Sequence, residues 1–330
     1  MPSPWIEDEV AIPPGAPSWD IDALTGGLRQ ARDDWRRAHR RDVARERVGF
    51  PSRARLEAII ALLAGALFPL RLGPSTVNPE NEDRFVAQTL DTVLVQLRWQ
   101  ITLELGYSQS APSQGAIEQR AARISQAFAA QLPDLRRLLD QDVEAAYAGD
   151  PAARSVDEVL LCYPSVTALI HHRIAHALYE LDVPIIARII AEVAHSATAI
   201  DIHPGARIGK SFFVDHGSGV VIGETAIIGD RVRLYQAVTL GARSFPTEES
   251  GGLKKGLERH PIVEDDVVIY AGATILGRVT IGRGAVIGGN VWLTQSVPAG
   301  SIVHQASAES DRPGQGDLPS GHLNLAALAI

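Results

Sequence analysis

Four short segments place ionisable residues inside an otherwise repetitive stretch of the chain: Asp201-Ile202-His203-Pro204, Asp215-His216-Gly217-Ser218-Gly219, Gly223-Glu224-Thr225 and Glu258-Arg259-His260-Pro261. Imidazoles can take and return a proton near neutrality, so a histidine in these segments could serve as a general base. A carboxylate beside such a base can fix its tautomer and raise its basicity. Arg259 carries a planar, two-donor fork that matches a carboxylate; the charged loop it closes could equally be merely solvated. His203, His216 and His260 also raise a metal reading, but none has a second histidine at close ligand spacing, so no metal is expected. His203 and Glu224 read as supports rather than reacting groups. Asp150-Pro151 is equally an N-cap followed by a first helical residue.

The surrounding residues count in sixes. Ile202, Ile208 and Val214 open the series; Ile222, Ile228, Leu234 and Leu240 continue it after a slip of two residues. Val263, Ile269, Ile275, Ile281, Ile287 and Leu293 complete it after a longer break. A small apolar residue precedes most of these by two positions, among them Ala206, Ala226, Val238, Ala273 and Ala285. One aliphatic and one small residue per hexad is the pattern of a parallel β-helix, with three hexads to each triangular coil. Coils of this type are left-handed, an exception to the usual right-handed crossover. The Asp215-His216 segment falls where the count slips, and such departures from a regular pattern tend to mark functional sites. Between Leu240 and Val263 the period is lost, and the Gly/Pro/Ser-bearing segment 243–260 reads as an exposed loop.

The chain has 330 residues and a net charge of -8 without a Lys/Arg block, which makes nucleic acid a poor partner. The N-terminal MPSPWIEDEV does not read as a signal peptide. The most apolar stretch, Leu56 to Leu70, is too short to span a membrane and contains Glu57, so it reads as a buried helix. Cys162 is the single cysteine, fits a reducing cytoplasm and reads as a packed core thiol. Apolar residues recur at helical spacing over Phe85–Leu105, Gln119–Leu139 and Ser165–Leu181. Pro184 opens a last helix striped by Ile185, Ile186, Ile189, Ile190 and Val193. The expected organisation is α+β: an extended arm 1–19, a helical domain 20–198, a left-handed β-helix 199–303 and a tail 304–330.

The string DIHPGARIG…DHGSGVVIGETAIIGD…VTLGA…RHPIVEDDVVIYAGATILG resembles serine O-acetyltransferases, and the similarity runs from about Asp150-Pro151 to about Ile302. The resemblance implies transfer of acetyl from acetyl-CoA, as co-substrate, to the hydroxyl of L-serine, supplying cysteine synthesis. It implies His216 as general base and Asp201 as its orienting partner. Asp150 and Asp215 would hold the serine amino group, and Arg259 and His260 its carboxylate. Gly241, Ala242, Ala271 and Gly289 would be the small residues beside the CoA arm. A homotrimer is implied, with His216 and Asp201 facing His260 or Arg259 of a neighbouring copy, and trimers pairing further in much of the family.

The chain departs from that family where the phosphates of CoA would lie. Gly241-Ala242-Arg243-Ser244-Phe245 replaces the family's Gly-Gly-Thr-Gly-Lys, the following loop is longer, and His304-Gln305-Ala306 stands in place of Pro-Ala-Arg. Arg243, Lys254, Lys255, Arg278 and Arg283 are the candidate phosphate partners. The tail ends in Leu-Asn-Leu-Ala-Ala-Leu-Ala-Ile, and a terminal isoleucine is how the family engages cysteine synthase. The same apolar run would also pack as a short helix on its own assembly.

Overall fold

The computed structural model describes residues 19–39, 49–107, 113–244, 246–248 and 251–305. Residues 1–18 of the arm 1–19 and residues 306–330 of the tail 304–330, including Ile330, lie outside the described residues. Eight helices come first among the described residues: α1 (Ile21–Ala38), α2 (Arg53–Leu67), α3 (Pro69–Leu72), α4 (Glu82–Tyr107), α5 (Gln114–Gly149), α6 (Val156–Cys162), α7 (Pro164–Glu180) and α8 (Pro184–Thr198). Proline opens α3, α7 and α8, where its missing N–H costs no helical bond. Helix α2 buries Leu56, Ile59, Ile60 and Leu63 against α4, as its apolar run requires. Helix α5 extends beyond the 119–139 stripe at both ends and passes through Pro133. Among the described residues no helix is long and apolar enough to cross a membrane.

Cys162 is exposed, which corrects its reading as a core thiol. The VLLCY run forms the short helix α6, whose one buried residue is Val159, so the cysteine at its end turns outward.

The coils begin two residues after the left-handed cap Ala199 of α8. The first contains β1 (Asp201–Ile202), β2 (Arg207–Ile208) and β3 (Phe213–Val214); the second β4 (Val221–Ile222), β5 (Ile227–Ile228) and β6 (Arg233–Leu234). The third contains β7 (Thr239–Gly241), β8 (Ile262–Val263) and β9 (Val268–Ile269); the fourth β10 (Thr274–Leu276), β11 (Thr280–Ile281) and β12 (Val286–Ile287). Strands β13 (Trp292–Leu293) and β14 (Ile302–Val303) end the stack. All pair in parallel into three sheets, β1-β4-β7-β10-β13, β2-β5-β8-β11 and β3-β6-β9-β12-β14, the faces of a left-handed β-helix.

Each hexad aliphatic points inward, and Ile222, Leu240, Ile269, Ile275 and Ile287 are fully or almost fully buried. Removing each from water stabilises the prism by about 1.5–3 kcal/mol. Leu293 is only partly covered, at the end of the stack. The small residues Ala206, Ala226, Ala273 and Ala285 have no exposed surface, which is why larger ones are absent there.

The strand register shows where the repeat is interrupted. Val221 pairs with Thr239 and Thr274 with Trp292, one 18-residue coil apart, whereas Asp201 pairs with Val221, 20 residues on. The two extra residues lie between β3 and β4, at Asp215–Gly219. Thr239 pairs with Thr274, 35 residues on, because the long loop lies between β7 and β8.

A buried ion pair fastens the helices to the first coil. Arg173 of α7 meets Asp142 of α5 at 3.1 Å, with side-chain exposures of 4% and 1%. Arg173 also donates to the carbonyls of Ile208 and Gly209, and Asp142 accepts the Phe212 N–H at 2.9 Å. This clamp fixes the end of α5, and with it Asp150, against the coil edge.

Candidate functional site

His216 sits in the two-residue insertion with φ 56°, and the next residue, Gly217, has φ 87°. A Cβ at Gly217 would come within 2.5 Å of Ile200, so only glycine fits this sharp corner. The corner turns the imidazole outward: the side chain of His216 is 61% exposed. Its Nδ1 lies 3.6 Å from a carboxylate oxygen of Asp215, itself only 14% exposed.

The end of α5 brings a second acid to this edge. Asp150 caps the C-terminus of α5 through its backbone N–H, which corrects its alternative reading as an N-cap; Ser155 fills that role for α6. Its carboxylate accepts the Ala152 N–H at 2.8 Å and the hydroxyl of Tyr163. The Tyr163 hydroxyl bond, then that N–H, hold Asp150 below the usual carboxylate range, with smaller help from His216 and Arg233. Tyr163 is raised in turn, first by burial, then by Asp150, and more weakly by Asp215. Asp150, Tyr163, Asp215 and His216 therefore form one cluster of polar groups. Tyr163 is a member that sequence reading missed. It lies 13 residues beyond Asp150 across a helix break, a separation with no local periodicity.

Asp201 lies on β1 near the same edge, but among the described residues no hydrogen bond joins it to His216. It sits instead beside Glu192 and His195 of α8; the donor atoms of these three lie within 4.8 Å of one another. Glu192 is also paired with Arg188, at 2.5 Å.

Arg259 and His260 occupy a different edge, between β7 and β8, with Glu224-Thr225 between β4 and β5 and His203 between β1 and β2. Arg259 donates to Glu224 at 2.6 Å, and Tyr179 of α7 donates to the other Glu224 oxygen at 3.2 Å. Glu224 thus aims the guanidinium, and its carboxyl is kept low mainly by that bond, against burial. The hydroxyl of Thr225 accepts the backbone N–H groups of Arg259 and His260, leaving its own hydrogen for Nδ1 of His260, 2.9 Å away. The Thr225 N–H also points at that Nδ1, at 3.0 Å. This network assigns a neutral His260 with its proton on Nε2. Burial and then Arg259 push the ring down to about 4. A Cβ on Gly223 would fall 2.0 Å from the ring, so glycine is required beneath it. His203 accepts the Gly205 N–H at 3.0 Å and serves its own corner, and its pKa is lowered chiefly by burial.

The predicted residues thus divide between two edges. Gly217 and Gly223 bracket one strand, and six extended residues span on the order of 20 Å. One amino-acid-sized ligand cannot touch both edges of the same chain. The four small residues divide likewise: Gly241 and Ala242 flank the long loop, whereas Ala271 and Gly289 lie next to each other on the His216 edge, with a Gly289 Cβ position 3.2 Å from the Ala271 carbonyl.

Beside Arg259 the long loop encloses a cleft of about 570 Å³ whose walls include Arg243, Lys254, Lys255 and Arg278. Arg278 is committed to the Thr225 and His260 carbonyls and to Glu258. Arg243, Lys254 and Lys255 have no ion pair among the described residues. Arg283 lies at the third edge, paired with Asp265 at 3.2 Å, away from this cleft.

Comparison with known proteins follows the same lines. The family described as bacterial transferase hexapeptide (six repeats) matches residues 260–295. A plasmid-borne serine acetyltransferase of Synechococcus elongatus is 54% identical over 301 residues, covering 89% of this chain and 93% of its own. A serine acetyltransferase of Bacillus licheniformis is 48% identical over 167 residues, covering 51% and 73%. Among solved structures, serine acetyltransferase isoform 3 of Entamoeba histolytica in complex with cysteine has a TM-score of 0.66 at 37% identity, covering 78% of this chain and 84% of its own. Serine acetyltransferase 1 of the same organism, in complex with L-cysteine, has a TM-score of 0.66 at 39% identity, covering 74% and 86%.

Proposed function

The chain belongs to the serine acetyltransferase family, and from that premise we propose how its residues carry acetyl from acetyl-CoA to the hydroxyl of L-serine. His216 removes the hydroxyl proton as the serine oxygen attacks the thioester carbonyl. The carbon–sulfur bond then breaks, and the imidazolium returns the proton to the CoA thiolate. O-acetylserine and free CoA leave, with no acyl group held on the protein. Holding both substrates together supplies much of the rate. Asp201 is the orienting carboxylate for His216 once the site is assembled.

The observation that carries this reading is the pair of carboxylates, Asp150 and Asp215, held on the His216 edge, with Arg259 and His260 on the next. An ammonium fits the first pair and a carboxylate the second, which is the charge pattern of a zwitterionic amino acid. Because the two edges are too far apart within one chain, the reading takes the second half of the site from a neighbouring prism, and the family resemblance gives the assembly as a homotrimer. Gly241, Ala242, Ala271 and Gly289 flank the thioester arm, and Arg243, Lys254 and Lys255 meet the phosphates. The same reading places the enzyme in the cytoplasm and gives the tail two alternatives, docking on cysteine synthase or packing on its own assembly. Loss of cysteine synthase binding on deleting the last residues tests the partner.

Thiol release from acetyl-CoA with serine, threonine, homoserine and sugars tests the acceptor. Serine should turn over fastest by a wide margin. Equal rates with a sugar would overturn the reading.

A further inference from the structure

The edge that bears His216 continues into a feature that the reaction so far leaves unused. Asp215 follows β3, Tyr235 follows β6, Tyr270 follows β9 and Gly288 follows β12, all in register. Their backbones form one ladder: the Asp215 N–H bonds the Leu234 carbonyl at 2.8 Å, Tyr235 that of Ile269 at 3.0 Å and Tyr270 that of Ile287 at 2.8 Å. Each rung advances about 4.8 Å. The two tyrosine rings stack with centroids 5.0 Å apart and planes 12° from parallel. They add nothing to the prism interior, which Leu234 and Ile269 already fill. Tyr270 is 44% exposed, and its hydroxyl makes no hydrogen bond among the described residues. Past the rings, Gly288 and Gly289 leave only backbone at the surface.

We propose that Tyr235 and Tyr270 form an aromatic shelf that positions the amide-bearing arm of the acyl donor beside His216. This rests on the reading of the chain as an acetyl-CoA-dependent enzyme. A donor whose carbonyl lies at His216 must run its arm away from the reacting centre. The rungs of Tyr235 and Tyr270 lie on the order of 5 and 10 Å along the edge, where the arm carries amides rather than phosphates. The stacked rings cover one face of each other, so the amides would lie along their exposed edges and outer faces, and Ala271, directly after Tyr270, leaves room for close approach. The tyrosines are positioning residues, since neither reaches the reacting atoms.

Steady-state kinetics of the full-length assembly tests this. Tyr270→Ala should raise the KM for acetyl-CoA about five- to tenfold, the size of an aromatic packing contact. The serine KM and kcat should stay within about twofold, and Tyr270→Phe should restore the wild-type KM. Acetyl-pantetheine, which lacks the nucleotide, should show the same loss. An unchanged acetyl-CoA KM, or a loss absent with acetyl-pantetheine, would overturn the shelf. So would a joint rise of both KM values with dissociation of the assembly, which would assign the rings to subunit packing. If Tyr270→Ala does not fold, Tyr270→Leu keeps the bulk without the ring face and carries the same expectations. Wild-type protein that transfers nothing to serine refutes the parent reading; an active wild type with indifferent tyrosine variants refutes only the shelf.

Discussion

His216 is an exposed imidazole on a left-handed corner, with the partly buried carboxylate of Asp215 3.6 Å away. As the general base it should be worth about 100- to 10,000-fold in kcat, so His216→Ala should lose that much while serine affinity changes far less. Retention of more than about a tenth of the rate would remove it from the role. Tyr163 acts through Asp150. Tyr163→Phe removes one hydrogen bond to a charged group, so the serine KM should rise about three- to tenfold with the acetyl-CoA KM unchanged. A serine KM unmoved by Tyr163→Phe would contradict the placement of Asp150 at the ammonium. His216 was legible in the sequence because it breaks a strict period; Tyr163 was not, because its partner lies across a turn in the chain.

At the scale of elements, the coils were the most legible part, since every hexad must supply one inward aliphatic. Ile202 to Ile287 obey that demand, and even the two-residue slip and the long insertion could be counted from sequence. The helices were legible as stripes, but their docking was not: the Arg173–Asp142 clamp joins residues 31 apart and buries two charges that a stripe cannot reveal. Cys162 shows the same limit in reverse, since an apolar run does not say which face a seven-residue helix turns inward. The loop after β7 gathers Arg243, Lys254 and Lys255, which have no ion pair among the described residues. Lys254→Ala with Lys255→Ala should raise the KM for acetyl-CoA several-fold and flatten its salt dependence, with acetyl-pantetheine unaffected. Equal effects on both donors would take the lysines away from the phosphates.

At the scale of the whole molecule, two buried imidazoles set an acid limit. Burial holds His172 well below its ordinary value, and burial with Arg259 brings His260 from 6.5 to about 4. The unfolded chain therefore binds these protons more readily than the folded one. Stability is fully present above about pH 6.5 and falls as the pH drops toward 4, by up to about 3 kcal/mol for His260. Urea midpoints at pH 7 and pH 5 check this, and a flat profile would contradict it. Assembly is the larger claim, because the amino-acid clamp is divided between edges about 20 Å apart. Its most direct test mixes His216→Ala and Arg259→Ala subunits, each inactive alone, and measures serine acetylation after verified exchange. In equal mixtures about three-quarters of trimers are mixed, and each has one interface in three with both halves intact. Shared sites therefore predict recovery of about a quarter of the wild-type rate. No recovery would mean that each chain completes its own site, contrary to the geometry described here.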